Sequence, residues 1–191
     1  PGERVTFDSE GEPPLPADWG GLVYQAGSGG SGTYFTIAHA TRGLSVSATD
    51  PLVFSFFLVR DCENSDPALA ANAAGIYVTN AAHTLSNGEV TNNRVTRLTT
   101  PSFGAGITIA GASAVVENCY IANNSVSTAA PAFGAGIAVS NASALIQNNT
   151  ITGNTVDGGD AGGGLSFGAG VAVDGNTTAR ILDNEFSDNS V

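Results

Sequence analysis

Carboxylates and arginines are sparse in this chain, so each can be weighed for the chemistry it could do. Asp157 opens, and Asp160 interrupts, the glycine-rich run that ends at Gly164. Two carboxylates on one loop supply the hard oxygen donors that calcium takes, which makes this pair the candidate metal site. The run lacks the ordered Gly/Asp repeat of calcium-binding toxins and the lysine of a phosphate loop, so its plainer reading is a connection between units. Arg94 and Arg97, either side of Val95 and Thr96, are the candidate glycan contacts. A polysaccharide lyase would join calcium-binding carboxylates to an arginine or lysine base, and Arg60 with Asp61 is the other pair of that kind. A glycoside hydrolase needs two carboxyl groups about 5–9.5 Å apart. Asp174 and Asp183 share a repeat but are read on a strand and in a turn, and nothing pairs them. His39 and His83 are isolated and expected in turns or at the surface. No catalytic residue is assigned, and the reading leans away from an enzyme.

Composition narrows the partners. The formal net charge is −11, and all 6 cations are arginines. Nucleic acid binding needs a basic stripe to neutralise phosphates, and none exists. An anionic membrane surface is disfavoured for the same reason, and no apolar run approaches the ~18 residues that span a bilayer. An acidic, weakly charged surface suits an extracellular or cell-surface protein. The chain opens at Pro1 and is expected to be a segment of a longer one.

The elements that must position these residues are read from a repeat. Gly104-Ala105-Gly106-Ile107 returns as Gly134-Ala135-Gly136-Ile137 and Gly168-Ala169-Gly170-Val171, each preceded by Phe103, Phe133 or Phe167. Gly21-Leu22, Gly43-Leu44 and Gly75-Ile76 are earlier versions. Beyond the first two, the interval is about 30 residues, a period that means stacked units. Each pair opens a short alternating strand whose first and third residues face inward. Five apolar or polar columns follow in register. Leu85, Val116, Ile146 and Ile181 form one, and Asn87, Asn118, Asn148 and Asp183 the next. Val90, Ile121, Ile151 and Phe186 come third, then Asn93, Asn124, Asn154 and Asn189. Val95, Val126, Val156 and Val191 close the set.

With no 3.6-residue apolar period anywhere, these units predict an all-β solenoid: a right-handed parallel β-helix of about six coils with about three short strands per coil. The chain is expected to form one domain over 1–191, with a lead-in strand and loop at 1–20 and repeat coils at 21–191. Both asparagine columns are expected to be ladders, their amides hydrogen-bonded from coil to coil. Asn148, placed in a ladder, is therefore expected to escape glycosylation despite its Asn-x-Thr sequon. Asp61 is read as the counterpart of Asn93. Cys62 and Cys119 then lie two coils apart, roughly 10 Å at the ~4.8 Å strand spacing. That is too far for a disulfide, so two free structural thiols are expected.

Gly-Ala-Gly-Ile followed by an aromatic- or aliphatic-x-x-Asn resembles the right-handed parallel β-helix repeats of secreted and surface proteins. Phe186-Ser187-Asp188-Asn189 is similar to the Phe-x-x-Asn half of the repeat in chlamydial polymorphic outer membrane proteins, with Ile121 and Ile151 replacing that Phe in the preceding copies. Pro1 to Phe7 and Trp19 to Leu22 resemble the first coils of pectate-lyase-like β-helices. The resemblance implies a fold shared by lyases, glycosidases, adhesins and autotransporter passengers, so it leaves activity open. The leading expectation is a non-catalytic surface β-helix, an adhesin-like stalk or a subunit that self-associates by coil stacking, with a polysaccharide or cell-surface glycan as its partner. The alternatives are a carbohydrate-active enzyme and a carbohydrate-binding module. No cofactor is expected apart from the candidate calcium.

Overall fold

The computed structural model describes residues 3–66, 69, 73–97, 101–158 and 165–191. Among these residues every regular element is a strand, and every strand pairing is parallel. Three sheets run the length of the molecule and give three strands to each coil.

Sheet I stacks Leu22–Tyr24, Leu44–Val46, Ile76–Thr79, Ile107–Ala110, Ile137–Ser140 and Val171–Asp174. The six glycine-anchored aliphatics therefore form one column: Leu22, Leu44, Ile76, Ile107, Ile137 and Val171. Sheet II stacks Ser31–Thr33, Val53–Ser55, His83–Ser86, Ser113–Glu117, Ser143–Gln147 and Thr178–Leu182. Its interior column is Phe54, Leu85, Val116, Ile146 and Ile181, matching the register read from sequence. Sheet III begins at Val5–Phe7 and ends at Glu185–Ser187, with Val90, Ile121, Ile151 and Phe186 in one column. Sheet IV (Glu63–Asn64, Arg94–Arg97, Ser125–Thr128, Thr155–Asp157) and sheet V (Ser102–Phe103, Ala132–Phe133, Ser166–Phe167) are shorter additions in the later coils.

The core is the stack of these columns. Leu44, Ile76, Leu85, Ile107, Ile121, Ile137 and Ile146 are wholly buried, and each contributes about 1.5–3 kcal/mol by leaving water. Strands this short would be unstable alone; the repeat stabilises them because each coil closes the apolar surface of its neighbour.

Sharp corners join the sheets, and each corner places one residue in left-handed backbone. Between sheets II and III that residue is Tyr34, Phe56, Asn87, Asn118, Asn148 or Asp183, all with φ of 52–54°. Between sheets III and IV it is Asp61, Asn92, Asn123, Gly153 or Asp188 in successive coils. Asn, Asp and Gly tolerate this region best, which is why the corners are rich in them.

That geometry corrects the ladder assignment. Asn87, Asn118, Asn148 and Asp183 have exposed side chains and belong to the left-handed column. The residue after each of them turns inward, so the interior ladder at that corner is Cys119, Asn149 and Asn184. The Asn148 side chain accordingly faces solvent. At the next corner the ladder is Asn93, Asn124, Asn154 and Asn189, headed by Cys62; Asp61 aligns with Asn92 instead of Asn93.

Inside the second ladder the Asn124 amide is saturated. Asn124 Nδ2 donates to Asn154 Oδ1 at 3.0 Å and to the Val90 carbonyl at 2.9 Å. Its Oδ1 accepts from Asn93 Nδ2 at 3.0 Å and from the Asn93 backbone at 3.1 Å. An amide offers two donors and two lone pairs, so none is left over.

The Gly-Ala-Gly turn has two distinct reasons for its glycines. Gly104 sits at φ 51°, where a Cβ would lie 2.3 Å from Thr108 Oγ1. Gly106 has no room for a Cβ beside the ladder, since Asn124 Nδ2 would be 3.0 Å away and the Gly136 carbonyl 2.5 Å. The preceding phenylalanines stack outside sheet I, Phe103 on Phe133 at 4.8 Å and Phe133 on Phe167 at 5.1 Å, with their ring planes nearly parallel. On the outward side of sheet I, Thr108 Oγ1 donates to the Phe103 and Gly104 carbonyls at 3.2 Å, and Thr108 and Ala138 are both buried.

Candidate ligand-facing surface

Most side chains capable of chemistry are tied into the coil. Both cysteines are free and buried, and they sit at different corners as the heads of the two ladders. Burial pushes the Cys62 thiol up to about 12 and the Cys119 thiol up to about 11, so neither is a thiolate at neutral pH. His83 is fully buried, contrary to the surface position expected of it, because it alternates inward two residues before Leu85. His39 lies at a corner with φ 55°, its Nδ1 2.6 Å from Asp8 Oδ1. Burial works to raise the Asp8 carboxyl, but the His39 contact and the Ser9 amide outweigh it and hold the group below the usual range. Asp18 is held low chiefly by the Ser9 hydroxyl and then the Leu15 amide. Arg60 pairs with its neighbour Asp61.

The candidate site residues fall on sheet IV and its connections. Arg94 is exposed on the outer face, in register with Glu63 and Ser125. Arg97 closes the same strand, and its side chain lies outside the described residues. Asp157 ends Thr155–Asp157 on the outer face, beside Ser127 and two coils from Thr96. Asp160 also lies outside the described residues. Arg94 and Asp157 share a sheet but are two coils apart, about 9.5 Å along the axis at the strand spacing. Among the described residues no three His, Cys, Asp or Glu gather as metal ligands. Asp174 and Asp183 lie at opposite ends of the five-residue strand Thr178–Leu182. A strand of that length spans about 17 Å, well beyond a glycosidase pair.

The structure adds a surface that inward-facing columns did not reveal. The outer face of sheet II carries a row of hydroxyls, Ser113, Ser143 and Thr178, beside Val115, Leu145 and Arg180. Together they line an open trough of about 400 Å³. Its signal in the sequence is the intervening residue of each alternating strand: Ser-Ala-Val-Val-Glu, Ser-Ala-Leu-Ile-Gln and Thr-Ala-Arg-Ile-Leu.

Residues 21–191 match the family described as the right-handed β-helix region. The chain is a right-handed β-helix protein. The matched span begins at Gly21, where the first glycine-anchored coil begins, so this β-helix and the repeat coils are the same stretch of chain. No curated protein and no solved structure matches it.

Proposed function

We propose that this β-helix is a non-catalytic extracellular or cell-surface scaffold of adhesin-like kind, which presents its outer faces to a glycan. The observation that carries the reading is the employment of its polar side chains. Buried amides saturate one another, the thiols and His83 are enclosed, and Asp8 with His39 and Arg60 with Asp61 are paired. Among the outward groups, the trough of Ser113, Ser143, Thr178, Val115, Leu145 and Arg180 and the Arg94 and Asp157 face of sheet IV are the ones this reading assigns to the glycan. Hydroxyls, aliphatic surface and one guanidinium suit a weakly acidic or neutral polysaccharide without supplying a paired acid and base. Calcium at Asp157 and Asp160 is an accessory expectation within this reading.

The coil ends suit stacking. Ile181, Phe186 and Val191 are 42%, 48% and 70% exposed, whereas the equivalent Ile146, Ile151 and Val156 are buried. A second copy stacked end to end would cover them by parallel pairing. A glycan array read with and without calcium tests the binding function. Binding that weakens when Arg180→Ala or Leu145→Asp is introduced supports the trough, and binding to no glycan on the array contradicts the reading.

A further inference from the structure

His83 is, apart from the two thiols, the one fully buried ionisable side chain among the described residues. Its two ring nitrogens are both committed. The Leu52 amide donates to Nδ1 at 3.1 Å, which makes Nδ1 an acceptor and leaves the hydrogen on Nε2. Nε2 in turn lies 3.2 Å from the Thr79 carbonyl oxygen, and the Ala48 carbonyl also interacts with the ring. The neutral imidazole thus ties the connection 47–52, which leads from sheet I to sheet II, to the corner of the next coil at 79–83.

The Thr79 and Ala48 carbonyls favour a positive charge on the ring, but no ionised side chain faces it to compensate one. The connection 47–52 carries only Asp50, which is exposed. Val53–Ser55 carries no ionisable residue, and His83–Ser86 none besides His83 itself. The neighbours Ile76–Thr79 and Ser113–Glu117 carry Tyr77 and Glu117, both on outer faces. An imidazolium would also turn an N–H toward the Leu52 N–H, leaving two buried donors opposed.

We propose that His83 is an acid-released latch: a proton taken from solvent at Nδ1 expels the Leu52 amide and frees the connection 47–52 from the corner it is pinned to. The following coils keep their pairing, because Ala114, Ala144 and Ala179 stand in register where this coil holds imidazole. Burial, the main influence on the group, holds the imidazole below its ordinary range. As pH falls past about 6.5, the unfolded and opened forms take up a proton before the closed form does. The latch therefore contributes fully above that pH and progressively less below it.

Hydrogen exchange read by mass spectrometry at pH 7.5 and pH 5, corrected for the intrinsic rate, tests this on the wild type and on His83→Gln. Glutamine can accept from Leu52 and donate to Thr79 but does not titrate. Expected is a loss of protection of about tenfold or more over 48–54 in the wild type at the lower pH, a flat response in His83→Gln, and no change over 136–156 in either. A wild-type response that is flat, equal in the variant or spread over the whole chain overturns the latch. Should the variant not fold, nuclear magnetic resonance of the wild type decides. The His83 ring and the Leu52 amide must respond along one curve, and a ring that titrates while the Leu52 amide stays protected overturns the proposal.

Discussion

Asn124 shows most plainly what a single residue does in this protein. Its amide closes four hydrogen bonds inside a fully buried column. Asn124→Ala would strand the Asn93 donors and the Val90 carbonyl, and is expected to cost about 3 kcal/mol or more in chemical denaturation. Asn118→Ala, at the exposed corner position, should cost far less. Equal losses would mean that the ladder had been assigned to the wrong column. Asn124→Asp adds a pH test. A carboxylate there would face the Val90 carbonyl, so the variant should recover stability as pH falls and the acid takes up a proton. Gly88 is the other telling position. A Cβ on it would lie 2.2 Å from the Phe57 ring, so Gly88→Ala is expected to lower stability by about 1–3 kcal/mol through overpacking.

At the scale of elements, corners rather than strands set the sequence. The column Tyr34, Phe56, Asn87, Asn118, Asn148 and Asp183 is held left-handed throughout. Asn118→Gly should be nearly neutral there, while Asn118→Val should cost about 1–2 kcal/mol because a β-branched side chain resists that backbone. Thermal or denaturant unfolding of the pair checks it, and indistinguishable variants would contradict the corner account. The apolar columns, the Phe stack and the glycine-anchored strands were all legible, because inward positions repeat at fixed offsets. Of the two ladders, that of Asn93, Asn124, Asn154 and Asn189 was read in place, and the one between sheets II and III was misread by one residue for a physical reason. Asn92-Asn93, Asn123-Asn124 and Asn148-Asn149 are doublets, and asparagine meets both demands, a left-handed corner and a buried amide. Asp61, Asp183 and Asp188 break the tie: a carboxylate would not be buried without a partner, so the first residue of each doublet must face out. The trough on sheet II was harder to see. Outward residues vary from coil to coil, and only the fold shows which of them converge.

For the whole molecule, the proposed stacking would act through the coil ends. Ile181, Phe186 and Val191 are apolar, yet acids surround both ends: Glu3, Asp8 and Glu10 near one, Asp183, Glu185 and Asp188 near the other. Association by stacking should therefore strengthen as salt screens the like charges, and Ile181→Asp should abolish it. Sedimentation across a salt series reads both effects, and association that weakens with salt would contradict end-to-end stacking.

The claim that the fold has absorbed the chemistry, leaving a surface that binds, is tested most directly by incubating the protein with a polysaccharide panel and assaying chain cleavage alongside retention on the same glycans. The account predicts retention on at least one of them with no new chain ends, whether or not calcium is present. Cleavage of any member, lost when Arg94 or Asp157 is replaced in a variant that still folds, would contradict it.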